Sequence, residues 1–349
     1  MLIDEIEGAG GILPMKYRDE FRYSTDELSW TFHQAAKEEL VAFAEATRFH
    51  RDGTTGLWHL TVDNIQARAR RFWGIEDEDN RYALPDYLTD CSAPWARALV
   101  GMYGEKSTYP AALSPDQGAF LKNLVLNINP CTVAEIGCYT GGSTVWIASG
   151  LEQLGGEGTI HSVDLFNEIF PFPPFHYEYL PDSLAAAREL VASAQLAERV
   201  QFYKMDSKRM GMQVGKRLRA PIDLLFIDGD HSIQGCLADF LLFYPHVATG
   251  GYVVMHDIYP KYSGHEGPRY VINHCVRNSL STEILEVKTY PENRGMAVIR
   301  KRGADPKLHL AGALLRTAIT GWPVVKRLPI GGTVARSVLK RAIGVGRSQ

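Results

Sequence analysis

From Cys131 onward, short apolar runs alternate with amphipathic stretches. "CTVAEIG", "GTIHSVDL", "RVQFYKMD", "PIDLLFID" and "GGYVVMHDI" have the length and apolar character of buried strands. "GSTVWIASGLEQ", "SLAAARELVASAQLAE", "KRMGMQVGKRL" and "IQGCLADFLLFYPHV" fall between them with helical periodicity, and "PRYVINHCVRNSL" follows as a further helix. "TEILEVKTY" and "GMAVIRKR", joined through "PENR", read as a hairpin. The pattern predicts an α/β fold: a doubly wound, seven-stranded, mostly parallel sheet with an antiparallel last strand. Upstream, "SPDQGAFLKNLVLNI" reads as a helix capped by Ser114, with Pro115 at its first position. "EDEDNRY", Pro85 and Pro94 read as loop. The first hundred residues otherwise read as helical. A capping box runs from Ser24 to Glu27, and Leu28, Phe32, Ala35, Ala36, Leu40 and Phe43 recur at helical spacing. A second helix is expected around "TVDNIQARARRFWG". The expected division is a helical N-terminal extension (1–106), the sheet domain (107–302) and a tail (303–349).

Charge changes the picture only at the end of the chain. The protein has 349 residues and a formal net charge of −3, with 45% apolar and 22% charged residues. That balance argues against a nucleic-acid partner. From residue 303 onward, eight Lys/Arg face one acid, Asp305. In "GTVARSVLKRAIG" the apolar residues Val334, Val338, Leu339 and Ile343 sort opposite Arg336, Lys340 and Arg341, and residues 308–319 sort similarly. With Trp322 and Lys326–Arg327 between them, these segments suit peripheral contact with an anionic membrane, packing on the sheet domain, or a homo-oligomer interface. No apolar run is long enough to span a bilayer. The five cysteines are scattered without a CxxC pair, which fits a reducing compartment. "MLIDEIEGAGG" lacks the basic-then-apolar start of a signal peptide. The expected location is the cytoplasm.

The candidate chemistry sits at strand ends. "AEIGCYTGGST" is a glycine-rich turn between a strand and a helix, where backbone N–H groups can approach a ligand. It is neither GxGxxG nor a Walker loop. Glu135, two residues before Gly137, would repel a pyrophosphate and suits a cationic ligand such as S-adenosylmethionine. Asp164 ends the second strand, where it can accept ribose hydroxyls, and Asp206 ends the third, near an adenine edge. "DLLFIDGDHSIQGCLADF" then crowds Asp228, Asp230 and His231 beyond a buried strand, which is costly unless something binds there. Asp230 reads as a helix N-cap and Asp239 as a surface helix residue.

"LSPDQGAFLKNLV" followed by "AEIGCYTGGST" resembles the catechol and caffeoyl-CoA O-methyltransferases, small-molecule members of the class I S-adenosylmethionine-dependent methyltransferases. "IDGDHSIQGCLADF…LLFYPHVATGGYVVMHDI" is similar to bacterial relatives with a D-G-D-H-S-Y-x-G motif that modify sugars and natural products. The resemblance covers about residues 107–302 and implies a Rossmann-like methyltransferase sheet. It implies cofactor contacts from Glu135, Gly137, Tyr139, Ser143, Asp164 and Asp206. It places a divalent metal, Mg²⁺ in the relatives, on Asp228, His256 and Asp257, and makes Asp228 and His231 catalytic, with His231 where catechol-type enzymes carry a general-base lysine. The acceptor is then a small-molecule hydroxyl. Three departures stand out. Tyr139 replaces a middle glycine, Ile233 replaces a tyrosine, and His256 stands where relatives often have Asp or Glu and favours softer metals. The loops 166–182 and "YPKYSGHEGPR" leave carboxyl ends of strands and can shape an acceptor pocket, with His265 and Glu266 as contacts or as solvated loop residues. Two further readings keep the fold: a metal-dependent hydroxylase-like relative, and a non-catalytic cofactor-binding module.

Overall fold

In a computed structural model of the protein, the residues described are 81–105, 108–109, 111–169, 180–218, 221–263, 265–279, 281–287 and 294–320, with three short strands nearer the N-terminus. Those strands are β1 (Phe21–Tyr23), β2 (His50–Arg51) and β3 (Trp58–Leu60). They form an antiparallel sheet in the order β1-β3-β2, with Phe21 opposite Leu60 and His50 opposite His59. The helices expected within 24–50 and 61–74 lie outside the described residues, except that His50 begins a strand. Described residues fall into two compact units. One combines this small sheet with 81–84 and parts of 101–112 and 167–183. Within it Tyr82 packs edge-on against Tyr103 and Tyr109 and donates to the Ala112 carbonyl at 2.7 Å.

The other unit is built on a seven-stranded sheet. Its strands are β4 (Thr132–Ile136), β5 (Thr159–Asp164), β6 (Val200–Lys204), β7 (Ile222–Ile227), β8 (Val247–His256), β9 (Thr282–Val287) and β10 (Met296–Lys301). Their order is β6-β5-β4-β7-β8-β10-β9. β4 to β8 pair in parallel, and β10 runs antiparallel to both β8 and β9. The chain works outward from β4 through β5 to β6, then returns to lay β7 on the other side of β4. Strand order therefore reverses between β4 and β7, and in open α/β sheets the crevice at that point is where ligands bind. Leu224, Leu225 and Phe226 of β7 are fully buried, as expected for a central parallel strand covered on both faces.

Local chemistry explains the helices that frame this crevice. Ser114 caps the helix Pro115–Ile128, its hydroxyl accepting from the Gln117 N–H. Gly118 on that helix gives way to the buried Trp146 indole, which occupies the space a Cβ would need. Helices Asp86–Thr89 and Pro94–Gly104 occupy a stretch expected to be loop. Pro85 immediately precedes the first and Pro94 opens the second, positions where a missing N–H costs nothing. The single helix expected over 208–218 is two short ones, Ser207–Gly211 and Val214–Arg217. The helix Ile233–Phe243 is capped by Ser232, whose hydroxyl accepts from Gly235 N–H, and not by Asp230. Asp230 instead accepts from the Ser232 N–H at 2.9 Å. Asp239 is not on the surface: it is fully buried, accepts from the Ser207 hydroxyl at 2.6 Å, and burial lifts its pKa to about 7.

The first half of the tail is the helix Pro306–Thr320. Asp305 holds its start, accepting from Lys307 N–H and Leu308 N–H. Leu308 and Ala311 are buried in the sheet unit's main apolar cluster, with Leu315 packed against it. This helix is a packing element. The second tail segment, beyond residue 320, lies outside the described residues. Among the described residues no helix is long and apolar enough to cross a membrane.

Arg316 secures the helix by donating to the carbonyls of Gly211 and Leu242 and to His246 Nε2, at 2.6 Å. A guanidinium only donates, so His246 accepts as a neutral imidazole. Burial, with Arg316, Lys301 and His309 nearby, lowers its pKa from 6.5 to about 4. Between those values the unfolded chain takes a proton that the folded chain refuses, so stability is retained above pH 6.5 and lost as pH falls towards 4. Urea midpoints measured at pH 7, 5.5 and 4.5 should show this decline in the wild type and a flatter profile in His246→Phe. Equal slopes in the two proteins would assign the acid sensitivity elsewhere.

Candidate active site

β4 ends at Ile136, and the chain turns through Gly137–Gly141 into the helix Gly142–Leu154. Gly137 has φ +89°, and the space its Cβ would need is filled by the Asp228 carbonyl. The neighbouring Asp228 N–H donates to the Ile136 carbonyl at 2.7 Å. The glycine turn after β4 is thus pressed directly on the turn after β7. Asp164, ending β5, holds the same turn from the other side. Its Oδ2 accepts from Cys138 N–H (2.8 Å) and Tyr139 N–H (3.1 Å), and its Oδ1 from Phe166 N–H (2.7 Å). Of roughly four acceptor positions on a carboxylate, about one remains for a ligand. Tyr139 has φ +53°, the left-handed region that explains a glycine here in relatives and costs a tyrosine roughly 1–3 kcal/mol.

Glu135 and Ser143, read as cofactor contacts, are bound to each other. Glu135 is fully buried and accepts from Ser143 (2.6 Å), Thr144 (2.5 Å) and Ser162. Burial raises its pKa to about 7 against the pull of these hydroxyls. Its hydrogen bonds tie the start of the helix Gly142–Leu154 to β4 and β5. Asp206 caps the helix Ser207–Gly211, accepting from Lys208 and Arg209 N–H.

Asp228, His231, His256 and Asp257 converge beyond β7 and β8. His256 Nδ1 lies 3.0 Å from Asp228 Oδ1 and 3.2 Å from Asp257 Oδ1. Its Nε2 is 3.1 Å from Gln117 Oε1. His231 Nε2 lies 3.2 Å from Asp228 Oδ1 and 3.4 Å from Asp257 Oδ2, close enough for ion pairs but out of line for hydrogen bonds. Asp257 has φ +56°, a strained aspartate backbone of the kind that collects at functional sites. Burial opposes charge on Asp228, yet His256 and His231 outweigh it and hold that carboxyl well below its usual range. Asp257 is lowered too, with Arg294 adding to the imidazoles. Burial would lower His231, but the two carboxylates and the Gly229 carbonyl bring it up to about 9. His256 is likewise raised, burial being outweighed by Asp228 and Asp257.

Set beside known proteins, residues 134–258 match the family model described as a methyltransferase domain. A catechol O-methyltransferase of Niastella koreensis is 28% identical over 133 residues, 38% of this chain and 52% of that protein. An uncharacterized protein of Acanthamoeba polyphaga mimivirus is 37% identical over 82 residues, 22% of this chain and 37% of that protein. The chain spans about half the length, or less, of these curated relatives. Among solved structures, the O-methyltransferase TomG of Streptomyces achromogenes is similar at 15% identity and a TM-score of 0.49, covering 66% of this chain and 100% of that one. A Bacillus cereus O-methyltransferase is similar at 16% identity and a TM-score of 0.46, covering 69% and 100%.

The cluster draws in three side chains from outside its own strand ends or from positions the sequence left open. His265, weighed as a solvated loop residue, stacks on His231 with ring centroids 4.6 Å apart and lies 3.7 Å from Asp257. Arg294 reaches Asp257 from the segment before β10, at 3.5 Å. Gln117 comes from the helix Pro115–Ile128, and the Gln-Gly pair in "PDQGAF" was the available signal. Glu266 is exposed and outside the cluster.

Gly137→Ala combines left-handed strain with a clash against the Asp228 carbonyl, and should cost more than about 2 kcal/mol. Thermal denaturation should show a clearly lower midpoint. An unchanged midpoint would mean that the two turns are not in contact.

Proposed function

We propose that the protein is an S-adenosylmethionine-dependent O-methyltransferase acting on a hydroxyl of a sugar or natural-product small molecule. The observation that carries this reading is the seating of Gly137 against Asp228: the turn suited to the methyl donor touches the cluster suited to a hydroxyl acceptor, at the reversal point of the sheet. In the reaction the acceptor oxygen forms a bond to the sulfonium methyl, the sulfur keeps the electron pair of the broken bond, and the hydroxyl proton leaves. Holding the two reactants in line supplies much of the rate. The proton has two candidate acceptors, His231 and His265, in the stacked pair described above. Asp164 presents its remaining acceptor position to the donor's ribose, and Glu135 braces the helix that follows the turn.

The residues also fit a divalent cation. Asp257 Oδ1 and His231 Nε2 are buried without a hydrogen bond, and His256 Nδ1 faces two carboxylates. Asp228, His231 and His256 bring one ligand atom each within 4.8 Å of one another, as do His231, Asp257 and His265; with Asp228, His256 and Asp257 as the expected holders, an ion here would supply a lowered hydroxyl pKa and offset negative charge on the acceptor oxygen.

Calorimetry with S-adenosylhomocysteine tests the cofactor. Asp164→Ala should weaken binding by roughly 1.5–3 kcal/mol, the value of a hydrogen bond to a charged group. Wild-type affinity in that variant would sink the assignment. Asp257→Ala should abolish methyl transfer to a hydroxyl acceptor while binding S-adenosylhomocysteine normally, and full turnover after exhaustive chelation would retire the cation.

A further inference from the structure

His231 occupies the position that the resemblance gives to the proton acceptor, yet its surroundings are those of a ligand. A base must turn a free nitrogen towards substrate. The Nε2 atom of His231 is instead enclosed between Asp228 and Asp257, buried and without a hydrogen bond. The Gly229 carbonyl lies near the ring and favours its protonated form. The backbone is fixed as well: Gly267 N–H donates to the His231 carbonyl at 3.1 Å, and the His265 ring covers one face of the imidazole. His256 is arranged in the same way, with one nitrogen among the carboxylates and the other on Gln117 Oε1. An imidazole whose outer N–H is tied to a protein oxygen while its inner nitrogen faces a cluster of acids is the recurrent pattern of a metal-bound histidine.

The geometry points to His231 as a metal ligand beside Asp228 and His256, whose ligand atoms all lie within 4.8 Å of one another, a two-imidazole centre flanked by Asp257 that selects a first-row transition ion such as Mn²⁺ or Fe²⁺ over Mg²⁺. This rests on the reading above that a cation occupies the cluster. The spacing supports it. Ligand atoms bonded at about 2.1 Å lie about 3.0 Å apart around an octahedral ion and about 3.4 Å apart around a tetrahedral one. The four nitrogen–oxygen gaps here are 3.0, 3.2, 3.2 and 3.4 Å. Asp257 offers one oxygen to each imidazole. The donor chemistry sets the preference, because Mg²⁺ is held through oxygens and waters while imidazole favours Mn²⁺, Fe²⁺ and their neighbours. The acceptor's proton then falls to His265.

The full chain, stripped with chelator and titrated with MnCl₂ or MgCl₂ alone, provides the test. Wild-type protein should bind Mn²⁺ at least tenfold more tightly than Mg²⁺. His231→Ala should lose 100-fold or more in Mn²⁺ affinity, while its thermal midpoint in chelator stays near that of the wild type. Should that variant fail to fold, pulsed electron paramagnetic resonance of the Mn²⁺-loaded wild type decides, with coupling to two imidazole nitrogens expected. Unaltered Mn²⁺ affinity in His231→Ala, or coupling to a single imidazole, overturns the ligand role, and equal affinity for Mn²⁺ and Mg²⁺ overturns the selectivity. Wild-type protein that binds neither ion overturns the cation reading itself. S-adenosylhomocysteine binding, measured in parallel, reports separately on the methyl-donor assignment: its loss with the two-imidazole centre intact would sink methyl transfer and leave the centre standing.

Discussion

Everything at the crevice depends on a side chain that is not there. Gly137 lets the backbone after β4 run against the carbonyl of Asp228, and no other residue tolerates both that approach and its φ of +89°. Sheet topology makes the contact possible, since β4 and β7 are neighbours only because the chain doubles back between them. The donor side and the acceptor side of the site therefore share a wall of backbone. A displacement of either turn is felt by the other, and Asp164 and Glu135 brace the shared wall through hydrogen bonds to the turn and to the helix that follows it.

Two populations of carboxylates result. Glu135 and Asp239 lie beneath the strand ends, held by hydroxyls, with pKa values lifted to about 7. Asp228 and the buried Asp257 lie beyond the strand ends, among imidazoles and Arg294, with pKa values pushed down. Environments that drive similar groups apart in this way divide labour in an active site. Here the rear acids can be near neutral while the front acids stay ionised and paired with the imidazoles and Arg294.

Much of this was legible in the sequence because parallel strands end where ligands bind. Alternating apolar runs located all seven strands, Asp164 and Asp228 were read as the polar residues that end or follow them, and His256 and Asp257 came in through the resemblance to metal-dependent methyltransferases. Other features were hidden for physical reasons. His265 and Arg294 reach the cluster from segments without periodicity, and only the pairing of β10 with β8 and the hydrogen bond from Gly267 to His231 bring them in. Asp239 looked like a helix-surface residue because a lone acid gives no sign that a hydroxyl, Ser207, awaits it. Asp230 and Ser232 compete for the same cap, and two residues of spacing do not say which hydrogen bond wins. Glu135 was read as a ligand contact on position alone, and its hydrogen-bond capacity is largely consumed by the protein, whereas Asp206 caps a helix through Oδ1 alone.

The insertion of β10 between β8 and β9 has a consequence for how the protein is made. Met296 is the residue that pairs with His256, so the strand that fixes the carboxyl end of β8 is among the last of the sheet to leave the ribosome. A nascent chain that has emerged through β9 already carries both aspartates and all three histidines of the cluster, yet lacks the neighbour that seals β8 and the arginine that faces Asp257. Long-range closure of this kind is slow relative to local helix formation. Synthesis therefore delivers a chain whose ligand-bearing groups are present before the sheet that aligns them, and the edge of β8 stays open until residues 296–300 are free to pair.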